Sequence, residues 1–148
     1  MRAATAPGIR VTLAAVALLA GCGEESTAPI DRRGEYRLVT VDGVSLPAAV
    51  SIVDGARTIT ELTSGTLRLW PDDTHTLSFA IRSRIGEEPE AAGTFAMGGD
   101  YSVSGSTVLM DVDALGDWSG TFGRSGAAHT LSVDAGFGFG LLIFRKVE

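Results

Sequence analysis

From His75 to Ile85 the chain alternates without a break. Leu77, Phe79 and Ile81 fall on one face, and Ser78, Ala80 and Arg82 fall on the other. Side chains of a strand point alternately to its two sides, so this period of two predicts a strand with one face buried. Beyond Cys22 no stretch of ten or more residues carries apolar side chains at helical spacing. Short runs rich in β-branched and aromatic residues recur instead: Glu35–Val41, Thr58–Thr63, Thr66–Trp70, Thr94–Met97, Asp100–Val103, Thr107–Asp113, Trp118–Arg124, His129–Asp134 and Phe139–Val147. Turn residues separate them, among them Asp42-Gly43, Ser64-Gly65, Pro71–Thr74, Gly98-Gly99, Ser104–Ser106, Leu115–Asp117 and Ser125-Gly126, and Gly86–Ala92 is an acidic loop. Leu46-Pro47 interrupts any central strand, because proline lacks the ladder N–H. Short strands with turns at close intervals predict an all-β fold, an antiparallel up-and-down meander closing into a barrel of about eight to ten strands.

The N-terminus has a different character. Residues 1–10 hold Arg2 and Arg10 and no acid, and Val11–Ala20 is apolar except for Thr12. A charged start and a short apolar run are the parts of an export signal, here helical, and ten apolar residues fall well short of the ~20 a membrane span needs. The run ends in Leu19-Ala20-Gly21-Cys22, which resembles the lipobox of bacterial lipoproteins. That resemblance implies cleavage between Gly21 and Cys22, removal of residues 1–21, and acyl chains, palmitate among them, on Cys22. Two or three chains make such an anchor stable, whereas one holds only marginally. Gly23, where an Asp would resemble an inner-membrane retention signal, implies the periplasmic face of the outer membrane in a two-membrane envelope. Cys22 is the chain's single cysteine, so the core must hold the fold without an internal disulfide.

Residues 22–33 then read as the lipidated Cys and a polar tether, reaching at most about 35–40 Å when extended, and residues 34–148 as one β domain. Loss of the leader removes two arginines and no acid, taking the formal charge from −6 to −8. An acidic chain whose cations are scattered does not suit nucleic acid or anionic headgroups.

Gly34-Glu35-Tyr36-Arg37-Leu38, with Val41-Asp42-Gly43 and Leu46-Pro47, resembles the start of small bacterial lipoproteins with a lipocalin-like domain. Ser64–Leu69, Tyr101–Gly105 and Leu142–Arg145 extend the resemblance over roughly 34–148. It implies neighbouring first and last strands, with an aromatic on the first covered by an arginine from the last. Tyr36 and Arg145 occupy those places, Tyr36 standing where the family's signature has Trp. The same arginine reads equally as a solvated charge beside Lys146.

No constellation points to catalysis or to a cofactor. An EF-hand loop from Asp111 through Asp113 and Asp117 fails, because Leu115 and Phe122 stand where its fifth and twelfth ligands belong. His75 and His129 are the only histidines; Asp72 and Asp73 lie near His75 at an expected hairpin tip, and no His-x-His or second Cys supports zinc. A nucleophile elbow is missing. Gly136-Phe137-Gly138-Phe139-Gly140 reads as a bent strand whose glycine face admits a neighbour, or as a flat wall for an apolar ligand. The expectation is therefore a lipid-anchored, extracytoplasmic, non-enzymatic barrel without cofactor or metal. It would bind a small apolar molecule in a lumen lined by Leu77, Phe79, Ile81 and Val103, or serve as a packed structural or protein-interaction module of the cell envelope.

Overall fold

The computed structural model describes residues 31–54, 57–88, 91–136 and 138–148. The leader, Cys22, the tether as far as residue 30, and Phe137 lie outside the described residues. Ten strands follow one another: β1 (Gly34–Val41), β2 (Val44–Ser45), β3 (Ala48–Asp54), β4 (Arg57–Leu69), β5 (Thr74–Ile85), β6 (Ala91–Ser104), β7 (Thr107–Val112), β8 (Gly116–Ser125), β9 (Ala128–Ala135) and β10 (Gly140–Lys146). A single 3-10 turn, Asp113–Leu115, joins β7 to β8.

All neighbours are antiparallel, and the order is that of a meander, β4 to β10 pairing in sequence. β10 returns to β1, with Leu38 opposite Phe144 and Val41 opposite Leu142. β1 in turn pairs with β4, from Gly34 opposite Leu69 to Arg37 opposite Thr66. β1 and β4–β10 thus close an eight-stranded barrel, which leaves no free sheet edge among them. The thirteen-residue β4 serves two partners, since its first half, from Arg57 to Leu62, pairs with β3.

Three sequence expectations change. Ser64-Gly65 is no turn: β4 runs through it, with register shifts between Ile59 and Glu61 and between Leu62 and Ser64. Bulges bend a strand without ending it, and a long strand must coil to follow a small barrel. Gly65 sits where β4 presses on its neighbours; a Cβ there would lie 2.8 Å from Phe79 Cδ1 and 3.0 Å from Leu38 Cβ. Gly98-Gly99 likewise lies inside β6. Gly136, Gly138 and Phe139 also lie outside the strands, because β9 stops at Ala135 and β10 begins at Gly140. β3, after Pro47, carries no clear alternation in the sequence and forms because β4 offers it half an edge.

The interior is filled. Tyr36, Leu67, Leu77, Phe79, Met110, Trp118, Leu131 and Phe144 are all at most 1% exposed and belong to one apolar cluster. The β4–β5, β6–β7 and β8–β9 turns lie at one end of the barrel with Asp31 and Glu148. The β5–β6 and β9–β10 connections and the 3-10 turn lie at the other, and there the packing gives out.

Candidate functional site

At that second end the barrel has a mouth. The sequence builds it from three irregular pieces: β3, the 3-10 turn and the glycine-flanked β9–β10 connection. The last of these carries Phe139, which folds inward to 1% exposure. Its ring lies 5.5 Å from Phe79 at an interplanar angle of 20°, 6.5 Å from Phe95 at 9°, and 5.6 Å from Trp118 at 56°. Stacked and tilted rings at these separations attract beyond their area of contact. Together they make a rigid floor across the top of the core.

Asp42 holds this connection in place. Its backbone N–H donates to Leu141 O at 2.8 Å, and its Oδ1 accepts the Leu141 N–H at 2.7 Å. The backbone passes so close that a Cβ on Gly140, whose φ is +71°, would meet the Asp42 carboxylate at 2.3 Å. Only glycine is free of penalty there.

Above the floor is a cavity of about 420 Å³ lined by Ile52, Val53, Ile59, Phe95, Ala96, Met97, Asp113, Ala114, Leu115 and Phe139. Its size and apolar lining match small-molecule sites in general. Among the described lining residues the one charged group is Asp113, at φ +34° in the 3-10 turn, and its Oδ2 accepts the Gly98 N–H at 2.8 Å.

None of the four residues expected to line a ligand lines this cavity. Leu77, Phe79 and Ile81 point inward as expected, at 1%, 0% and 1% exposure, but they are packed core, and Phe79 reaches the cavity only through the ring stack beneath it. Val103 is 40% exposed, and its expected place in the lumen is corrected. It shares Tyr101's facing but pairs with Val108 next to the β6–β7 turn, at the opposite end of the barrel from the mouth. The lining residues of β3 and of the 3-10 turn gave no signal of their own. Phe139 did, as an aromatic between glycines.

The closed end departs from expectation in one contact. β1 and β10 are neighbours, yet Tyr36 lies opposite Lys146, and the exposed Arg145 lies opposite Arg37. Arg32 takes the covering position instead. Its guanidinium stands 5.1 Å from the centroid of Phe122 and donates to Gly105 O, while Phe122 lies 6.3 Å from Tyr36. Tyr36 Oη donates to Arg32 O at 2.7 Å, and Lys146 Nζ donates to Asp31 O. Burial pushes the Tyr36 phenol up to about 12, with Asp31 adding to the shift. Residues 31–33, read as tether, are thus the lid of this end.

The acids and histidines do not assemble. Asp72 accepts from Thr74 Oγ1 at 2.7 Å and from its N–H at 3.2 Å, which holds its carboxyl below the usual range. Asp73 pairs with Arg33 at 3.6 Å, both exposed. His75 turns away from both into the barrel, at 2% exposure. Asp111 lies opposite Asp117 across β7 and β8. Among the described residues no three His, Cys, Asp or Glu side chains are grouped as a metal site.

The fold and the mouth define a class: a closed, eight-stranded antiparallel β-barrel with a packed lumen and an apolar cavity at one end. Comparison of the chain with protein-family models, with curated proteins and with solved structures finds no match.

Proposed function

We propose that the protein is a lipid-anchored, extracytoplasmic binding protein of lipocalin-like form that holds a small apolar molecule in the mouth of its barrel. The observation that carries the reading is the 420 Å³ cavity over the Phe139 ring stack. A domain whose only task was to pack would gain by covering that apolar lining, since apolar surface removed from water stabilises a fold. The anchor belongs to the same proposal and rests on Leu19–Cys22, with the protein facing the periplasm from the outer membrane where the envelope has two membranes.

Titration with the neutral, environment-sensitive dye N-phenyl-1-naphthylamine tests the pocket. One saturable site is expected, and Ala114→Trp, which enlarges an exposed residue of the lining, should abolish it. Dye binding that is absent, or indifferent to Ala114→Trp, would overturn the reading. The anchor is tested separately: expressed in a lipoprotein-processing host, the protein should carry an acyl mass increment on Cys22, and Cys22→Ala should lack it.

A second reading is a structural or interaction module of the envelope without ligand. It is favoured by the packing below Phe139, where Trp118, Tyr36 and Phe144 are buried in one apolar core. Failure of the dye titration would leave this second reading standing.

A further inference from the structure

We propose that the mouth cavity selects a cationic amphiphile, with its protonated amine at the Asp113 carboxylate and its hydrocarbon over Phe139 and Met97. The proposal rests on the ligand-binding reading above and specifies its ligand. Asp113 is the only charged residue among the described lining, and the remainder of that lining is aliphatic, aromatic or alanine. The carboxylate is positioned by the structure: its Oδ2 accepts the Gly98 N–H at 2.8 Å, which fixes it over β6 beside Met97 and Ala96, two residues of the cavity wall.

Among the described residues its charge also has no ion-pair partner. The ion pairs of the described residues are Arg33–Asp73, Arg37–Glu35 and Arg82–Glu61, and none involves Asp113. A carboxylate at the rim of an apolar cavity interacts with a cation in a lower effective dielectric than bulk water, so its preference is stronger than on an open surface. An ammonium brings up to three N–H donors to such a site. An alkyl carboxylate placed in the same pose would set two like charges together, and a neutral alcohol would gain only an ordinary hydrogen bond. The chain's net charge of −6 adds a long-range pull in the same direction.

The experiment uses the full chain in phosphatidylcholine nanodiscs, with empty nanodiscs as the blank. Octylammonium, octanol and octanoate are titrated calorimetrically at low salt. Octylammonium should bind about tenfold tighter than octanol, the scale of a charge-assisted hydrogen bond in a partly exposed site, and octanoate should be the weakest. Asp113→Asn keeps an oxygen for the Gly98 N–H and tolerates the left-handed backbone. It should bring octylammonium and octanol to equal affinity while leaving octanol unchanged. If the three probes bind equally to the native chain, or the cation preference survives Asp113→Asn, the charge assignment is overturned and the apolar pocket stands. If none binds, the pocket reading falls with it.

Discussion

His75, the second residue of β5, has its ring turned into the barrel and is 2% exposed. Burial lowers its pKa, against the opposing pull of the Asp100 backbone and of the Asp113, Asp111 and Asp100 carboxylates. The folded protein therefore holds the imidazole neutral, whereas the unfolded chain protonates it near pH 6.5. The unfolded state binds the extra proton, so this contribution to stability is full above about pH 6.5 and is lost as pH falls toward the depressed folded value. Urea unfolding between pH 7.5 and 4.5 should show that slope, and His75→Leu should flatten it; an unchanged slope would mean other groups cause it. The inward position was legible, because His75 has the parity of Leu77 and Phe79. The two aspartates before it, Asp72 and Asp73, mark the turn and not the facing of His75. Gly140 is a second residue-scale case. Gly140→Ala forces a left-handed backbone on an L-residue, costing about 1–2 kcal/mol before the collision with Asp42 is counted. The urea midpoint should drop with no change in m; Asp42→Ala, which takes the acceptor from the Leu141 N–H and puts Ala at φ 49°, should lower it too, and the two losses should be less than additive.

At the scale of elements, β5 is the strand that the sequence described best, and its two faces make a clean comparison. Phe79 is fully buried and touches both Phe95 and Phe139. Phe79→Ala should cost about 3–5 kcal/mol, and Ser78→Ala, on the outer face, a few tenths at most. Equal small losses would mean that β5 is not the packed wall its register indicates. Alternation was readable here because nothing interrupts β5. In β4 and β6 the dipeptides Ser64-Gly65 and Gly98-Gly99 mimic turns; period two does not say whether Ser64-Gly65 ends a strand or bulges it, since both expose backbone and drop a side chain. The mouth was the least legible part. Ile52, Val53, Ala114 and Leu115 come together only when β4 divides its edge between β1 and β3 and the 3-10 turn folds over β6. These are long-range pairings, and local periodicity carries no trace of them. Val103 failed for the complementary reason: its facing was read correctly, but parity does not tell how near a residue lies to the end of the barrel.

For the molecule as a whole, the two ends of the barrel are unlike, and the last prediction concerns the one that is closed. The all-β meander and the adjacency of first and last strands followed from turn spacing and from the resemblance at Gly34–Leu38, but the covering arginine comes from before β1 and not from β10. A chain entering across the end of a barrel can place a cation over the rings there. Arg145, paired in register with Arg37 and facing solvent, lies on the wrong side of the sheet to do so. The contact of Arg32 with Phe122, at 5.1 Å, has the geometry of a cation–ring interaction, which contributes about 0.5–1 kcal/mol when exposed and more when desolvated. A double-mutant cycle of Arg32→Met and Phe122→Leu should give a coupling of about 0.5–1 kcal/mol. The cycle of Arg145→Met with Tyr36→Leu should be additive within about 0.3–0.5 kcal/mol. The reverse outcome would place the lid on β10 and leave residues 31–33 as plain tether. The distinction bears on function: eight residues lie between Cys22 and Asp31, so an anchor proposed on Cys22 would join the barrel at its lidded end. The cavity over Phe139 lies at the opposite end of the barrel from that lid.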